Sequence, residues 1–355
     1  MSAGGRRPTL KTIAAETQLS TAAVSRILRG DKKFSEKTIQ MVHESAARVG
    51  YIPNQAGVKL RTGRTGLIAF VFPSELSSEA MLGEMINSIA SSLKGTDHRL
   101  TIYPTSSEDE QKSLVREIVD NRLADGVILN RVRPEDERVH FMMERGFPFI
   151  AHGRSDYAPQ HDFVDFDNYE YARRAVCDLA DAGCRDIKLL APPMDQFYAV
   201  ELMRGGLDAA RERGIAFSSI QGVSFENGLG AIAAALTELC VAGACPDGLV
   251  LPSGRICYFV LRTLQKGGVF TGRNIHLATK DSPESGYEFD DAIFVYSEDA
   301  WHAGANLATG LLRRINDSKA PLFQVLDQPV PAHRKIASAV LSPQDALGEH
   351  SAPLA

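Results

Sequence analysis

What this sequence does not contain narrows its function. There is no H-E-x-x-H, since His140-Phe141-Met142-Met143-Glu144 lacks that spacing, and nine histidines and five cysteines show no metal-ligand cadence, so no metal is expected. No G-x-S-x-G occurs, which removes the nucleophile elbow of a hydrolase. Gly228-Leu229-Gly230-Ala231-Ile232-Ala233 lacks the third glycine of a dinucleotide fingerprint and reads as a helix start. With no catalytic constellation in view, no catalytic residue and no cofactor are expected, and the chain reads as something other than an enzyme.

Other absences concern location. Cys177, Cys184, Cys240, Cys245 and Cys257 are odd in number and form no C-x-x-C pair, which is the usage of reduced, mostly structural thiols in a cytoplasmic protein. Arg6 and Arg7 are followed by no apolar segment, so no signal peptide is expected. No apolar run approaches the ~20 residues that span a bilayer, so no membrane role is expected. The tail from Pro343 shows no leucine heptad and hence no coiled-coil device.

What is present begins with charge. A chain of 355 residues is long enough for several cores, and its net charge of −5 alone argues against nucleic acid. The distribution reverses that: the first 64 residues hold 12 Lys/Arg against 4 Asp/Glu, and the remainder holds 27 against 40. A basic head on an acidic body is the footprint of a DNA reader whose body stays off the phosphates.

The head carries helix punctuation. Thr12–Glu16 is a short helical pattern, Thr17-Gln18-Leu19 a tight break, and Ser20 an N-cap for a second helix through Ala22, Ala23, Val24, Ile27 and Leu28. Arg29 closes that helix and Gly30 suits its C-terminus. Ser35 with Glu36 opens a third helix, whose Ile39, Val42, Ala46 and Val49 fall at helical spacing before Gly50. Two short helices joined by such a turn form a helix-turn-helix, whose second helix enters the major groove. Thr21, Ala22, Ser25 and Arg26 are expected on its base-reading face, and Ile13, Val24, Ile27, Ile39 and Val42 in a small core.

Leu19-Ser20-Thr21-Ala22-Ala23-Val24-Ser25-Arg26, then Ser35-Glu36-Lys37-Thr38, then Gly50-Tyr51-Ile52-Pro53-Asn54 resembles the headpiece of the LacI/GalR family of bacterial transcription regulators. The likeness runs almost without gaps to Gly66, and the body resembles the family's sugar-binding core. It implies a hinge helix near residues 53–65 that docks in the minor groove with Leu60 wedged between base steps, although Gly57 and Val58 depart from the usual alanine-rich hinge. The DNA-facing set becomes Leu10, Ser20, Thr21, Ala22, Ser25, Arg26, Arg29, Thr38, Asn54 and Leu60.

The body alternates strands and helices. Leu67–Phe72 is a continuous apolar run ended by Pro73, the mark of a parallel strand buried on both faces. Strands at 100–103, 126–129 and 147–151 alternate with helices at 80–93, 108–122 and 135–145, and the pattern repeats from Asp165, with a weak strand at 219–223. The expected architecture is an all-α headpiece at 9–52 plus a two-lobed, periplasmic-binding-protein-like α/β core of doubly wound parallel sheets at 66–340. Residues 1–8 and 341–355 are expected as tails. Lobe 1 is expected at about 66–160 and 291–318, and lobe 2 at about 161–290 and 319–340, with three crossings between them.

Such lobes bind ligands at the carboxyl ends of their strands. The resemblance implies an effector site there. Asp167 belongs to an Asp-Asn pair opening the second lobe, and Leu202 stands where the family has a ligand-clamping arginine. Ser253 replaces an asparagine, Asp281 keeps a ligand-binding aspartate, and Glu298-Asp299 stands for a polar pair at the lobe hinge. Lys280 or Arg255 is expected to replace the missing arginine, while Phe197, Tyr198 and Trp301 nearby favour a larger or less polar ligand. The effector set is then Asp167, Leu202, Ser253, Arg255, Lys280, Asp281 and Glu298.

Together these imply a homodimeric regulator, a repressor, that reads a double-stranded operator and answers to a small-molecule effector, a saccharide or glycoside. The alternatives are a cytosolic sugar-binding protein or a sugar-active enzyme with no DNA role.

Overall fold

The structure is a computed structural model that describes residues 8–28, 30–31, 33–51, 63–74, 79–241, 245–268, 275–283, 285–290 and 292–332. The chain divides into two compact units, Met1–Gly66 and Leu67–Ala355. In the first, α1 (Leu10–Thr17), α2 (Thr21–Ile27) and α3 (Glu36–Val49) enclose Ile13, Ala14, Val24, Ile27 and Val42, with Leu10 and Ile39 half-buried at the edge.

Local chemistry sets these boundaries. Ser20 Oγ accepts from the Ala23 amide at 3.1 Å and Ser35 Oγ from the Thr38 amide at 3.2 Å, so each hydroxyl satisfies an orphan helix donor. Gln18 ends α1 at φ 58° and Gly50 ends α3 at φ 65°. Glu16 ties α1 to α3, accepting from Ser45 Oγ at 2.6 Å and Arg48 Nη2 at 2.9 Å, which holds its carboxyl below the usual range.

The second unit contains two six-stranded sheets. The first has β1 (Leu67–Pro73), β2 (Arg99–Thr105), β3 (Gly126–Asn130), β4 (Phe149–His152), β5 (Phe163–Phe166) and β11 (Gln324–Asp327) in the order β11-β5-β4-β3-β1-β2, all parallel. Its faces are covered by α4 (Glu79–Ser92), α5 (Glu108–Asp120), α6 (Glu137–Glu144) and α11 (Ala300–Asn316).

The second sheet has β6 (Asp186–Leu189), β7 (Ala216–Ser219), β8 (Gly248–Leu251), β9 (His276–Asp281), β10 (Ile293–Ser297) and β12 (Val330–Pro331) in the order β12-β10-β9-β8-β6-β7, parallel except for β12. It packs against α7 (Asn168–Asp181), α8 (Phe197–Arg213), α9 (Leu229–Val241) and α10 (Gly254–Lys266). As read from the sequence, the Gly228 stretch begins a helix, since α9 starts at Leu229.

Sheet pairing moves the lobe boundaries from where the sequence put them. β5 (163–166) pairs with β4 in the first sheet, β10 (293–297) lies in the second, and β11 (324–327) returns to the first, each the opposite of its expected lobe. The chain completes its ladder before it crosses, so the three crossings follow β5, β10 and β11. The weak strand expected at 219–223 lies earlier, at 216–219, because Gly222 at φ 73° sits in the turn that follows. Cys240 and Cys245 are joined as a disulfide, which corrects the reading of all five as thiols, while Cys177, Cys184 and Cys257 are free. The two cysteines bracket one short connection, a proximity that odd-number arithmetic does not reveal. No described helix is long and apolar enough to cross a membrane.

Candidate functional site

Two surfaces are candidates. On the first unit, Val24 and Ile27 turn inward from α2, leaving Thr21, Ala22 and Arg26 exposed and Ser25 partly so. These positions share one face of the helix at i, i+1, i+4 and i+5. Arg26 Nε donates to Asp31 Oδ2 at 2.8 Å and its guanidinium lies 5.2 Å from the Phe34 ring centroid, which sets its direction. Ser20 serves as the N-cap of α2. Thr38 shares its hydroxyl with Ser35 at 2.7 Å, and Leu10 packs on the core edge. Lys11, Lys33 and Lys37 are also exposed, a placement that counting charge along the sequence did not supply. Arg29, Asn54 and Leu60, with most of the expected hinge and both tails, lie outside the described residues.

On the second unit, the carboxyl ends of the two sheets face a cleft of about 940 Å³. Lobe 1 supplies Phe72, Pro73, Met81, Glu84, Asn130, Arg131, His152, Arg154 and Asp165. Lobe 2 supplies Asn168, Tyr198, Phe225, Ser253, Arg255, Lys280, Asp281 and Tyr287, and the crossing after β10 adds Glu298, Asp299 and Trp301.

Five of the seven expected effector residues therefore line the cleft: Ser253, Arg255, Lys280, Asp281 and Glu298. Two do not. Asp167 caps α7, accepting from the Glu170 amide at 3.0 Å, and receives Gln328 Nε2 at 3.2 Å. Leu202 is fully buried in the lobe 2 core because it lies on the inner face of α8 with Ala199, Gly206 and Ala209. Phe197 is outside the lining as well; it stacks on Arg154 at 5.5 Å.

Lys280 organises the interior. It is 6% exposed. Its Nζ donates to Asn168 Oδ1 at 2.8 Å and Glu298 Oε1 at 3.1 Å, and lies 4.8 Å from the Phe166 ring centroid. Asp281 is pushed above its usual pKa, first by burial, with Glu298 adding to the effect and the Ser285 hydroxyl and Ser282 and Gly254 amides opposing it. A Cβ on Gly254 would sit 2.3 Å from the Asp281 carboxyl carbon, so Asp281 fills space that only glycine leaves open at the start of α10.

Several cleft residues escaped sequence reasoning. His152 ends β4, Asn130 ends β3, and Asp165 interrupts the apolar run of β5. A polar residue closing a buried strand is the signal that could have found them. Arg154 Nε donates to Asp165 Oδ2 at 2.7 Å, while its Nη2 is buried with no hydrogen-bond partner among the described residues. Glu84 Oε2 accepts from Ser282 across the lobes at 2.6 Å, leaving its Oε1 buried and unmet. Arg131 adopts φ 52°, its carbonyl held at 2.9 Å by Arg138, which pairs with buried Asp136. From there its guanidinium reaches Glu226 of lobe 2. Arg133–Asp195 at 2.9 Å and the Phe197 amide on the Val132 carbonyl at 3.0 Å also join the lobes.

Burial pushes the pKa of His152 down to about 4, with Lys280 adding to the effect, and burial pushes Asp165 up to about 6 against the opposition of Arg154. The signs differ. A depressed His contributes stability above its unfolded value near 6.5 that is lost as pH falls through 4. A raised Asp contributes stability below its unfolded value near 3.9 that is lost as pH rises through 6. His152→Gln removes the first contribution, so its melting temperature should fall less between pH 6.5 and 4.5 than that of the parent protein. Equal pH slopes in a thermal scan would show that His152 is not held neutral by the fold.

The description "Bacterial regulatory proteins, lacI family" matches residues 9–54, and "Periplasmic binding proteins and sugar binding domain of LacI family" matches residues 65–277. The HTH-type transcriptional regulator RafR of Escherichia coli is 26% identical over 326 residues, covering 90% of this chain and 96% of RafR. Among solved structures, a transcriptional regulator CelR–cellobiose complex has a TM-score of 0.64 at 22% identity, covering 92% of this chain and 98% of that one. The Lac repressor dimer bound to operator and the anti-inducer ONPF has a TM-score of 0.78 at 18% identity, covering 91% and 97%. At these identities the structural likeness is one of fold.

Proposed function

This chain belongs to the LacI family of bacterial regulatory proteins, and we propose that it is a cytoplasmic, homodimeric repressor whose operator affinity is set by a neutral saccharide or glycoside bound between the lobes. It is a DNA-binding regulator and not an enzyme. The observation that carries the DNA reading is the face of α2, with Thr21, Ala22, Ser25 and Arg26 turned away from a closed three-helix core. Two such helices in successive major grooves read a pseudo-palindrome, with Lys11, Lys33 and Lys37 as phosphate contacts and Leu60 as the minor-groove wedge.

Charge and hydrogen bonding support the ligand class. The cleft sets four cations, Arg131, Arg154, Arg255 and Lys280, among five carboxylates, Glu84, Asp165, Asp281, Glu298 and Asp299. A phosphate would meet no surplus positive charge there. Three cleft-lining side-chain atoms are buried without a hydrogen-bond partner among the described residues: a donor on Arg154, ion-paired with Glu201 at 3.6 Å, and acceptors on Glu84 and Glu298. Such a mixed set suits hydroxyls, which both donate and accept. CelR is solved with cellobiose and the Lac repressor with an anti-inducer, so ligands of this fold are known in relatives. A ligand with different affinity for the open and closed lobes shifts the population that binds DNA.

Selection from a random DNA pool, followed by anisotropy titration, tests the reading. The full chain should bind selected duplexes with a steep salt dependence. Arg26→Ala should lose roughly 1–3 kcal/mol on selected DNA and far less on unrelated DNA, with the thermal shift by saccharides unchanged. Equal loss on both kinds of DNA would remove Arg26 from base reading, and no selective binding by the parent protein would sink the regulator reading.

A further inference from the structure

Trp301 is the single tryptophan of the chain, and 48% of its surface is exposed on the wall of the cleft. Its place is fixed from several directions. Asp299 caps α11 by accepting from the His302 amide at 2.7 Å, and Ser88 Oγ donates to the Trp301 carbonyl at 2.6 Å. Gly304, one turn on, comes so close to α4 that a Cβ would lie 2.6 Å from the Met85 carbonyl oxygen. The first turn of α11 is therefore locked against α4, which fixes the backbone that carries the indole at the cleft wall.

Covering a half-exposed indole inside a cleft with the apolar face of a ligand removes aromatic surface from water and is favourable. What covers it must also suit the rest of the site. Lys280, Glu298, Asn168, Asp165 and Arg154 form a polar group able to satisfy one sugar ring, and a single hexose fills only a small part of about 940 Å³. Glu298 belongs to that polar group, and Trp301 follows it by three residues along the same crossing segment. Met81 and Leu82 line the cleft on α4, the helix that packs against α11.

We propose that Trp301 is a specificity-determining platform for a second ring, so that the effector is a glycoside of at least two rings, one held by the polar group and the next laid by its apolar face on the indole. This rests on the reading of the cleft as a saccharide site. The second ring is a pyranose or an aryl group, both of which offer a flat apolar face.

The single tryptophan makes the test direct. The full chain is titrated with glucose, galactose, cellobiose, maltose, melibiose, phenyl β-D-glucoside and phenyl β-D-galactoside, and both Trp emission and calorimetric heat are followed. At least one two-ring probe should bind roughly tenfold or more tighter than its single-ring parent and shift the emission to the blue. Trp301→Ala should remove about tenfold of that preference and leave single-ring binding within about twofold, while Trp301→Phe keeps most of it. A gain with disaccharides alone assigns a sugar to the platform, and a gain with phenyl glycosides alone assigns an aryl group. Two-ring binding with unmoved emission, or an unchanged preference in Trp301→Ala, overturns the platform while leaving the saccharide reading intact. No calorimetric binding of any of these probes overturns the saccharide reading and the platform with it.

Discussion

Lys280→Ala will cost the core on the order of 3–5 kcal/mol of stability and take most of the effector affinity with it. The lysine is the only described cation within hydrogen-bond reach of Glu298, whose side chain is 12% exposed, and it also satisfies the Asn168 amide oxygen. Removing one member of a buried pair leaves the other desolvated without its countercharge, and that penalty exceeds the net worth of the pair itself. The ammonium also lies 4.8 Å from the Phe166 ring centroid and 6.0 Å from that of Tyr171, so alanine loses these cation–π contacts as well.

A double-mutant comparison separates these effects. Lys280→Met combined with Glu298→Gln keeps the volume and removes both charges, so it should recover much of the stability lost in the alanine variant and none of the effector binding. Urea unfolding of the full chain, with a saccharide thermal-shift assay in parallel, measures both quantities. A loss below about 1 kcal/mol for Lys280→Ala would place this pair with exposed ones and would refute its role as the centre of the site.

The second large effect concerns a residue far less conspicuous in the sequence. Gly205→Val will destabilise lobe 2 by about 3 kcal/mol or more, because α7 and α8 touch through backbone there. A Cβ at residue 205 would sit 2.1 Å from the Tyr169 carbonyl oxygen, and one at residue 206 would sit 2.2 Å from the Phe217 ring. The first obstacle is main chain and cannot rotate away, so the helices must separate and disturb the Tyr171 and Leu202 core beneath the cleft. Gly230→Ala, near the start of α9 with nothing within 4 Å of the added carbon, is the control and should be neutral or slightly stabilising. If both variants unfold at the same urea concentration, the close approach of α7 and α8 is not needed.

Much of this molecule is legible in its sequence. The headpiece was readable because its signals are local: Ser20 and Ser35 cap the helices that follow them, and Ile13, Val24, Ile27 and Val42 fall at helical spacing. The long parallel strands were readable as well, since β1 is buried on both faces and reads as one apolar run. The short strands were not. β5 and β11 have four residues each with acids inside or at the end, and propensity over so short a stretch cannot compete with the ladder that recruits them.

The sequence by itself therefore determined a helix-turn-helix head, an alternating α/β body and the residue types at the strand ends, because caps, periodicity and apolar runs act over a few neighbouring residues. Tertiary structure alone decided which lobe each crossing strand joins, that Leu202 faces core rather than ligand, and that His152, Arg154 and Asp165 share the cleft. The reason is distance along the chain. Lys280 meets Asn168 across 112 positions and Arg131 meets Glu226 across 95. The first pair needs a helix packed on its own sheet and the second needs two lobes set face to face, and neither arrangement is encoded in neighbouring residues.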